Sequence, residues 1–305
     1  MTGLKSFRRA VLPGIIALAL LGTASQAQQS YKTPEDAAAA LAAAVKGGPG
    51  DILKVLGRAA EDIVDSGDEI ADQDIRQRFT SMYDAKHGIK AEGNKTATLI
   101  LGPDDFAFPI PLINTRNGWE FDTDEGRIEV LRRRIGRNEL DAIQTALAFV
   151  DAQNEYADKD RGEGAGVYAQ RIVSSPGKKD GLFWRDDSDP SPLGALAAEA
   201  SQEGYRTGDV GPVPYHGYYF HILKGQGRDA PGGALNYVVK GKMIGGFALI
   251  AWPAEYGNSG IMTFLVNHAG TVYQKDLGKR TEFMAARTTL FDPDQTWKKV
   301  DAAKP

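Results

Sequence analysis

Residues 124–157 read DEGRIEVLRRRIGRNELDAIQTALAFVDAQNEYA, the strongest periodic stretch of the chain. Ile128, Leu131 and Ile135 recur at helical spacing, and Leu140, Ile143, Leu147 and Val150 form a second stripe. The pattern predicts one long helix over 124–157, with Gly136 between the stripes as a place where it bends or is interrupted. A loop follows, because Asp158-Lys159-Asp160-Arg161-Gly162-Glu163-Gly164 has no apolar residue to bury.

The sequence before this helix changes character twice. Thr33-Pro34-Glu35-Asp36 is a helix start: Thr33 caps, Pro34 fits the first turn, and the two acids favour the positive end of the helix dipole. Gly47-Gly48-Pro49-Gly50 stops that helix. Further helices are predicted over 51–56 and over 73–85, the latter from Ile75, Phe79 and Met82. Strand signals then appear at 96–101, 106–113 and 119–121, with an Asn117-Gly118 turn before the last. Pro109 and Pro111 mark the middle one as an edge.

After the helix a polar, proline-bearing stretch from 174 to 192 leads to a short helix near 193–203. Strands are predicted at 215–223, 235–239, 247–252, 261–267 and 271–275, and Asn267-His268-Ala269-Gly270 joins the last two as a hairpin turn. The fold class is therefore α+β. N-terminal helices with a small antiparallel sheet occupy residues 28–123, the helix fills 124–157, and a C-terminal antiparallel meander fills 158–305.

The first 27 residues set a compartment. Lys5, Arg8 and Arg9 precede the apolar run Val11 to Leu21, and Ser25-Gln26-Ala27 offers the small residues of a cleavage site. The apolar run is shorter than the roughly 20 residues of a membrane-spanning helix. Residues 1–27 thus read as a signal peptide, and the protein as periplasmic or extracellular with no integral span in the mature chain. The segment carries three basic residues and no acid, so its removal leaves 278 residues and takes the net charge from −4 to −7. Acidity of that size argues against nucleic acid as a partner. The chain has no cysteine, which excludes disulfides and thiolate chemistry.

Three clusters carry a resemblance: Arg133-Arg134-Ile135-Gly136-Arg137-Asn138-Glu139, Tyr215-His216-Gly217-Tyr218-Tyr219, and Trp252-Pro253-Ala254-Glu255-Tyr256-Gly257-Asn258-Ser259-Gly260. With them the sequence resembles the exported bacterial proteins grouped as domain of unknown function family 2950. The resemblance covers nearly all of the mature chain. It implies an exported envelope protein of Gram-negative bacteria and brings no activity and no assigned catalytic residue. From Asn138 onward the chain is also similar to type IV pilin-like heads, through Asn138-Glu139, Ala152-Gln153, Tyr156, Tyr168-Ala169, Gly217-Tyr218 and the stretch from Pro253 to Val272. That likeness implies a four-stranded antiparallel sheet against one long helix. The charged segment Arg127 to Arg137 stands where a pilin helix is apolar, so assembly into a pilus is not implied.

Chemistry-bearing residues are few. His216 and His221 lie five apart in a predicted strand and point to opposite faces, which disfavours a shared metal. Asp158-x-Asp160 begins like a calcium loop, but Gly162 and Glu163 depart from the pattern, and a solvated acidic turn is the preferred reading. Gly257-Asn258-Ser259-Gly260 is similar to a protease serine loop yet lacks the nucleophile-elbow spacing, so a structural turn is preferred. Glu129, Arg133 and Arg137 form a solvent-side ladder at four-residue spacing, and Arg137, Asn138 and Glu139 are structural candidates for locking the helix at its bend. The aromatic strand would bury one face and offer the other to a glycan or an envelope protein, with Tyr218, Glu255, Asn258 and Ser259 as tentative binding residues. These readings favour a non-catalytic binding or envelope-assembly module without a cofactor. The alternative is an envelope-polymer hydrolase, acting on peptidoglycan or peptide, that uses Glu255 as acid or base with His216 assisting.

Overall fold

A computed structural model describes residues 28–186, 188–203, 205 and 213–300, and the predicted signal peptide lies outside these. The fold is α+β, with helices and a small antiparallel sheet, then one long helix, then a second antiparallel sheet.

The first unit opens with α1 (Pro34–Gly47), whose N-cap Thr33 accepts from the Asp36 N–H as its sequence predicts. Next come α2 (Pro49–Leu56), a one-turn α3 (Glu61–Val64) and α4 (Glu69–Ala85). Helix α4 begins four residues before the expected Gln73, because Asp68 caps it by accepting from the Ala71 N–H. Five strands follow: β1 (His87–Glu92), β2 (Thr96–Leu101), β3 (Phe106–Ala107), β4 (Leu112–Thr115) and β5 (Gly118–Phe121). They pair in the order β1-β2-β4-β5, with β3 against β2. The continuous strand expected at 106–113 is two short pieces, since Pro109 and Pro111 offer no N–H to a ladder. Strand β2 buries Ala97, Leu99 and Leu101 and turns the alternate residues outward, and this face meets Leu41, Ile52, Leu56 and Ile110 in the first core.

Helix α5 (Thr123–Ala157) runs unbroken for 35 residues, about 52 Å at the usual rise, and Gly136 does not interrupt it. Its buried face agrees with the second predicted stripe at Ile143 and Val150, with Leu147 packed against the core, and departs from the stripes elsewhere. Ile128 is 58% and Leu140 63% exposed, whereas the row Gly126, Arg134, Asn138, Ala142, Ala146 and Val150 is buried. With the half-buried Val130 that row repeats every four residues, so it follows one ridge of the helix. Its start packs on the first core, where a Cβ on Gly126 would lie 2.6 Å from the Ile110 Cα. Its end packs on the second core. The two residues between them are polar.

Beyond α5 come α6 (Gly194–Gln202) and the strands β6 (Tyr218–Leu223), β7 (Gly225–Gln226), β8 (Leu235–Asn236), β9 (Val238–Val239), β10 (Lys242–Met243), β11 (Ala248–Pro253), β12 (Met262–Asn267), β13 (Val272–Asp276) and β14 (Lys298–Lys299), with α7 (Thr281–Ala285) before the last. The main sheet is antiparallel in the order β14-β13-β12-β11-β6. The predicted hairpin at Asn267 to Gly270 joins β12 to β13, closed by the Gly270 N–H on the Asn267 carbonyl. Strands β11 and β12 are buried along nearly their whole length, as expected of central strands. Phe149, Tyr218, Phe247, Ile250 and Phe264 belong to the core they form with α5.

The strand expected to start at Tyr215 starts at Tyr218. His216 and Gly217 both have positive φ and make a tight turn, with Tyr215 and Tyr218 exchanging backbone hydrogen bonds across it. The alternation of faces assigned to 215–217 therefore does not apply.

Candidate functional site

All three sequence clusters converge where α5 passes from the first core to the second. Asp62 to Asp68, the turn at His216-Gly217 and the loop from Glu255 to Gly260 meet the polar middle of the helix there.

Arg134 is the centre of this junction. It is buried, yet it donates to the backbone carbonyls of Asp62 at 2.8 Å and Ile63 at 2.6 Å, and also to Asn258 Oδ1. Burial pulls its pKa down, and the nearby Asp72 and Asp62 charges oppose that pull. Asn258 turns its Nδ2 to the Asp65 carbonyl at 2.9 Å and to Glu255 Oε2 at 2.8 Å. One turn further along α5, Asn138 donates to the Ser259 carbonyl at 2.9 Å. Glu139 Oε1 accepts from the Ile261 and Met262 N–H groups, each at 3.0 Å. Asn138 and Glu139 are thus bonded to the 259–262 stretch rather than across a helix bend, because α5 is continuous. Arg137 is not: it is exposed and makes no hydrogen bond or ion pair among the described residues. Arg134, one helical turn earlier, makes such bonds instead. The solvent-side ladder is real for Glu129 and Arg133, 2.7 Å apart, and stops there.

The second half of the junction is acidic. Asp68 is buried, and its Oδ2 accepts from the Tyr205 hydroxyl at 2.8 Å and the Gly217 N–H at 3.0 Å. His216 lies between two carboxylates, with Nδ1 3.0 Å from Asp141 and Nε2 2.7 Å from Glu203. Burial pulls the imidazole pKa down, but the hydrogen bonds and charges of the two carboxylates outweigh it and push it up to about 9. At neutral pH both ring nitrogens carry protons, and His216 is an imidazolium. A small recess of about 100 Å³ lies here, walled by His216, Asp141, Glu203 and Tyr205. Glu255 does not line it.

This geometry corrects the catalytic pairing of Glu255 with His216. Among the described residues the two line no common cleft, and a doubly protonated imidazole has no lone pair for a substrate proton. It also corrects the binding set. Tyr218 is fully buried and its hydroxyl donates to the Met262 carbonyl at 3.0 Å, so it presents no ring to a ligand. Ser259 is fully buried too, its Oγ accepting from the Glu255 N–H at 2.9 Å. Asn258 is buried in the junction, and of the four only Glu255 reaches solvent. Asp160 uses Oδ1 to accept from the Gly162 and Gly164 N–H groups, both at 2.8 Å, and so closes a turn. No group of three His, Asp or Glu residues that could hold a metal ion occurs among the described residues.

Asp68, Tyr205, Asp141 and Glu203 are the participants that pattern reading misses. Asp68 carries the clearest signal, as an N-cap three residues before Ala71; Asp141 and Glu203 are separated in sequence and meet only through His216.

Among the larger cavities of the described residues, one of about 600 Å³ lies outside the junction, between residues 167–172 and strand β6. No helix among the described residues is long and apolar enough to cross a membrane.

The sequence model of a family described as "Protein of unknown function (DUF2950)" matches residues 28–300. No curated protein and no solved structure matches the chain, so the likeness to pilin heads gains no support. The main sheet also has five strands rather than four.

Proposed function

The chain belongs to the DUF2950 family of proteins of unknown function, and we propose that it is an exported, non-catalytic binding or assembly module of the cell envelope. The observation that carries this reading is how fully the junction uses its own reactive groups. His216 is held at both nitrogens, Asn258 is committed to the Asp65 carbonyl, Ser259 to Glu255 of its own loop, and Tyr218 is buried in the core. A catalytic site keeps a base with a free lone pair beside open space for substrate. Here these groups are spent on structure instead: Asn258 ties the second unit to the Asp65 carbonyl of the first, and the others hold α5 and the second unit together. The 600 Å³ cavity lies apart from these groups, which suits a binding role.

Export is supported by the charged, apolar and small-residue order of residues 1–27. Fractionation of cells making the full chain, with N-terminal sequencing of the product, tests it. The expected product starts at Gln28 outside the cytoplasm; an intracellular, uncut chain would refute export. Incubating the mature protein with peptidoglycan fragments and unstructured peptides tests the absence of catalysis. No turnover is expected. Turnover that disappears in Glu255→Gln and His216→Ala variants would restore the hydrolase reading.

A further inference from the structure

Strand β6 is an edge of the main sheet, and the 600 Å³ cavity runs beside it. Phe220, His221 and Ile222 all line that cavity. Consecutive strand residues point to opposite faces, so all three can border one cavity only along the strand's edge. The backbone bonding agrees. Tyr218 directs its N–H and C=O to Tyr215, and Lys224 directs its C=O to Tyr237, all away from β11. In an antiparallel ladder this direction alternates by residue, so Phe220 and Ile222 also point their backbone groups away from β11. They make no backbone hydrogen bond there among the described residues. The opposite wall is the run from Val167 to Ile172.

Charge gives the slot a preference. Its walls carry Lys159, Arg161, Arg171 and Lys224 against Glu163 and Asp180, on a protein that is acidic overall. Asp180 is already occupied, accepting from the Ser175 N–H at 2.7 Å and hydroxyl at 2.9 Å. Arg161 is the unusual cation. Its side chain is only 5% exposed, stacked 4.6 Å from the Trp184 ring and 5.0 Å from the Tyr156 ring. Among the described residues its Nε and Nη2 have no partner, and Asp189 at 3.7 Å is beyond hydrogen-bond reach. A buried, incompletely paired guanidinium projects its field into the adjoining cavity with little screening.

From the free edge and the cationic walls together we infer that this slot binds an acidic peptide in extended conformation. The peptide adds a strand to β6, with its backbone bonded to Phe220 and Ile222 and its carboxylates facing Arg171, Lys159 and Lys224. This names a partner class for the binding reading and rests on it.

The test uses a fluorescein-labelled hexapeptide of alternating glutamate and valine, titrated against the purified mature protein. Saturable binding is expected, with the amide resonances of Phe220 and Ile222 shifting and gaining protection from exchange. Methylating alternate peptide nitrogens should weaken binding by about tenfold or more, and so should the double variant Arg171→Glu, Lys224→Glu, whose thermal unfolding should match wild type. Equal binding of the lysine-for-glutamate peptide overturns the charge argument. Displacement by succinate or phosphate as effective as by peptide, with no effect of N-methylation, overturns the strand argument and leaves a small-anion site. No saturable binding at about 1 mM peptide, an affinity worth only about 4 kcal/mol, overturns the inference. Cleavage of the bound hexapeptide would instead refute the non-catalytic reading while leaving the edge as the binding site.

Discussion

The imidazolium of His216 gives the sharpest test of how the junction is held. Its folded pKa, about 9, stands above the ordinary 6.5. A proton bound more tightly in the folded state stabilises it, fully below the unfolded value near 6.5, and the contribution is lost as pH rises through about 9. At about 1.4 kcal/mol per pKa unit the full shift would be worth roughly 3 kcal/mol. Asp141 and Glu203 each keep 36% of their side chains exposed, so screening reduces the effect to about 1–2 kcal/mol. Urea unfolding of wild type and of His216→Gln, measured at about pH 6.5 and about pH 9.5, isolates it, because the remaining lysines and tyrosines titrate alike in both. Wild type should lose about 1–2 kcal/mol more than the variant over that interval. Equal pH dependence of the two proteins would refute the ion-pair account, as would an NMR titration placing the His216 ring near its ordinary pKa.

Arg134→Met should cost about 3–4 kcal/mol in urea unfolding, because two backbone carbonyls and Asn258 lose a charged donor in a buried place; a loss below about 1 kcal/mol would show that the loops re-pair without it. Gly217→Ala should cost about 2–3 kcal/mol, since its φ is +73° and the new Cβ would meet Asn138 Nδ2 at 2.7 Å and Ser259 Cβ at 2.9 Å. Unchanged thermal stability would refute that close approach. Gln153 is fully buried and closes a two-way pair with the Ala169 backbone at 2.8 and 2.9 Å. Gln153→Leu should therefore cost about 2–4 kcal/mol by the same measurement, and retained stability would mean that residue 169 finds other partners.

The sequence legible before folding was the part governed by local chemistry. The Thr33 cap, the alternation in β2 and the turn at Asn267 to Gly270 depend on near neighbours, and each stands where it was expected. Strand β1, with the sequence HGIKAE, was not expected. It is exposed except at Ile89, so no alternation of apolar residues marks it, and its pairing with β2 defines it. On α5 the apolar pattern holds at Ile143 and Val150 but fails at Ile128 and Leu140 for a related reason. Apolar periodicity assumes that the buried row is apolar, whereas Arg134 and Asn138 are buried because carbonyls distant in sequence satisfy them. Of the site, Asn138 and Glu139 were legible as a polar pair inside a helix, but the positive φ of His216, which removes Tyr215 from the strand, was not.

The polar stretch in α5 has a physical consequence for how the two units sit together. An apolar row at 134 and 138 would bury comparable surface, and pairs of that kind are often as stable as buried ions. It would also tolerate sliding or rotation, because hydrophobic contact is non-directional. Arg134, Asn138 and Glu139 instead meet named carbonyls and N–H groups from two loops, and each bond fails if the helix shifts by a residue. The junction therefore selects one register of the first unit against the second. A binding slot on the edge of β6 benefits from that fixity, since β6 begins at Tyr218, directly after Gly217, whose backbone N–H Asp68 of the first unit accepts. Loosening the junction should then disturb the slot before it unfolds either core, and exchange of the Phe220 and Ile222 amides in Arg134→Met should rise ahead of exchange in β12. Uniform exchange across β6 and β12 in that variant would show that the junction and the edge are independent.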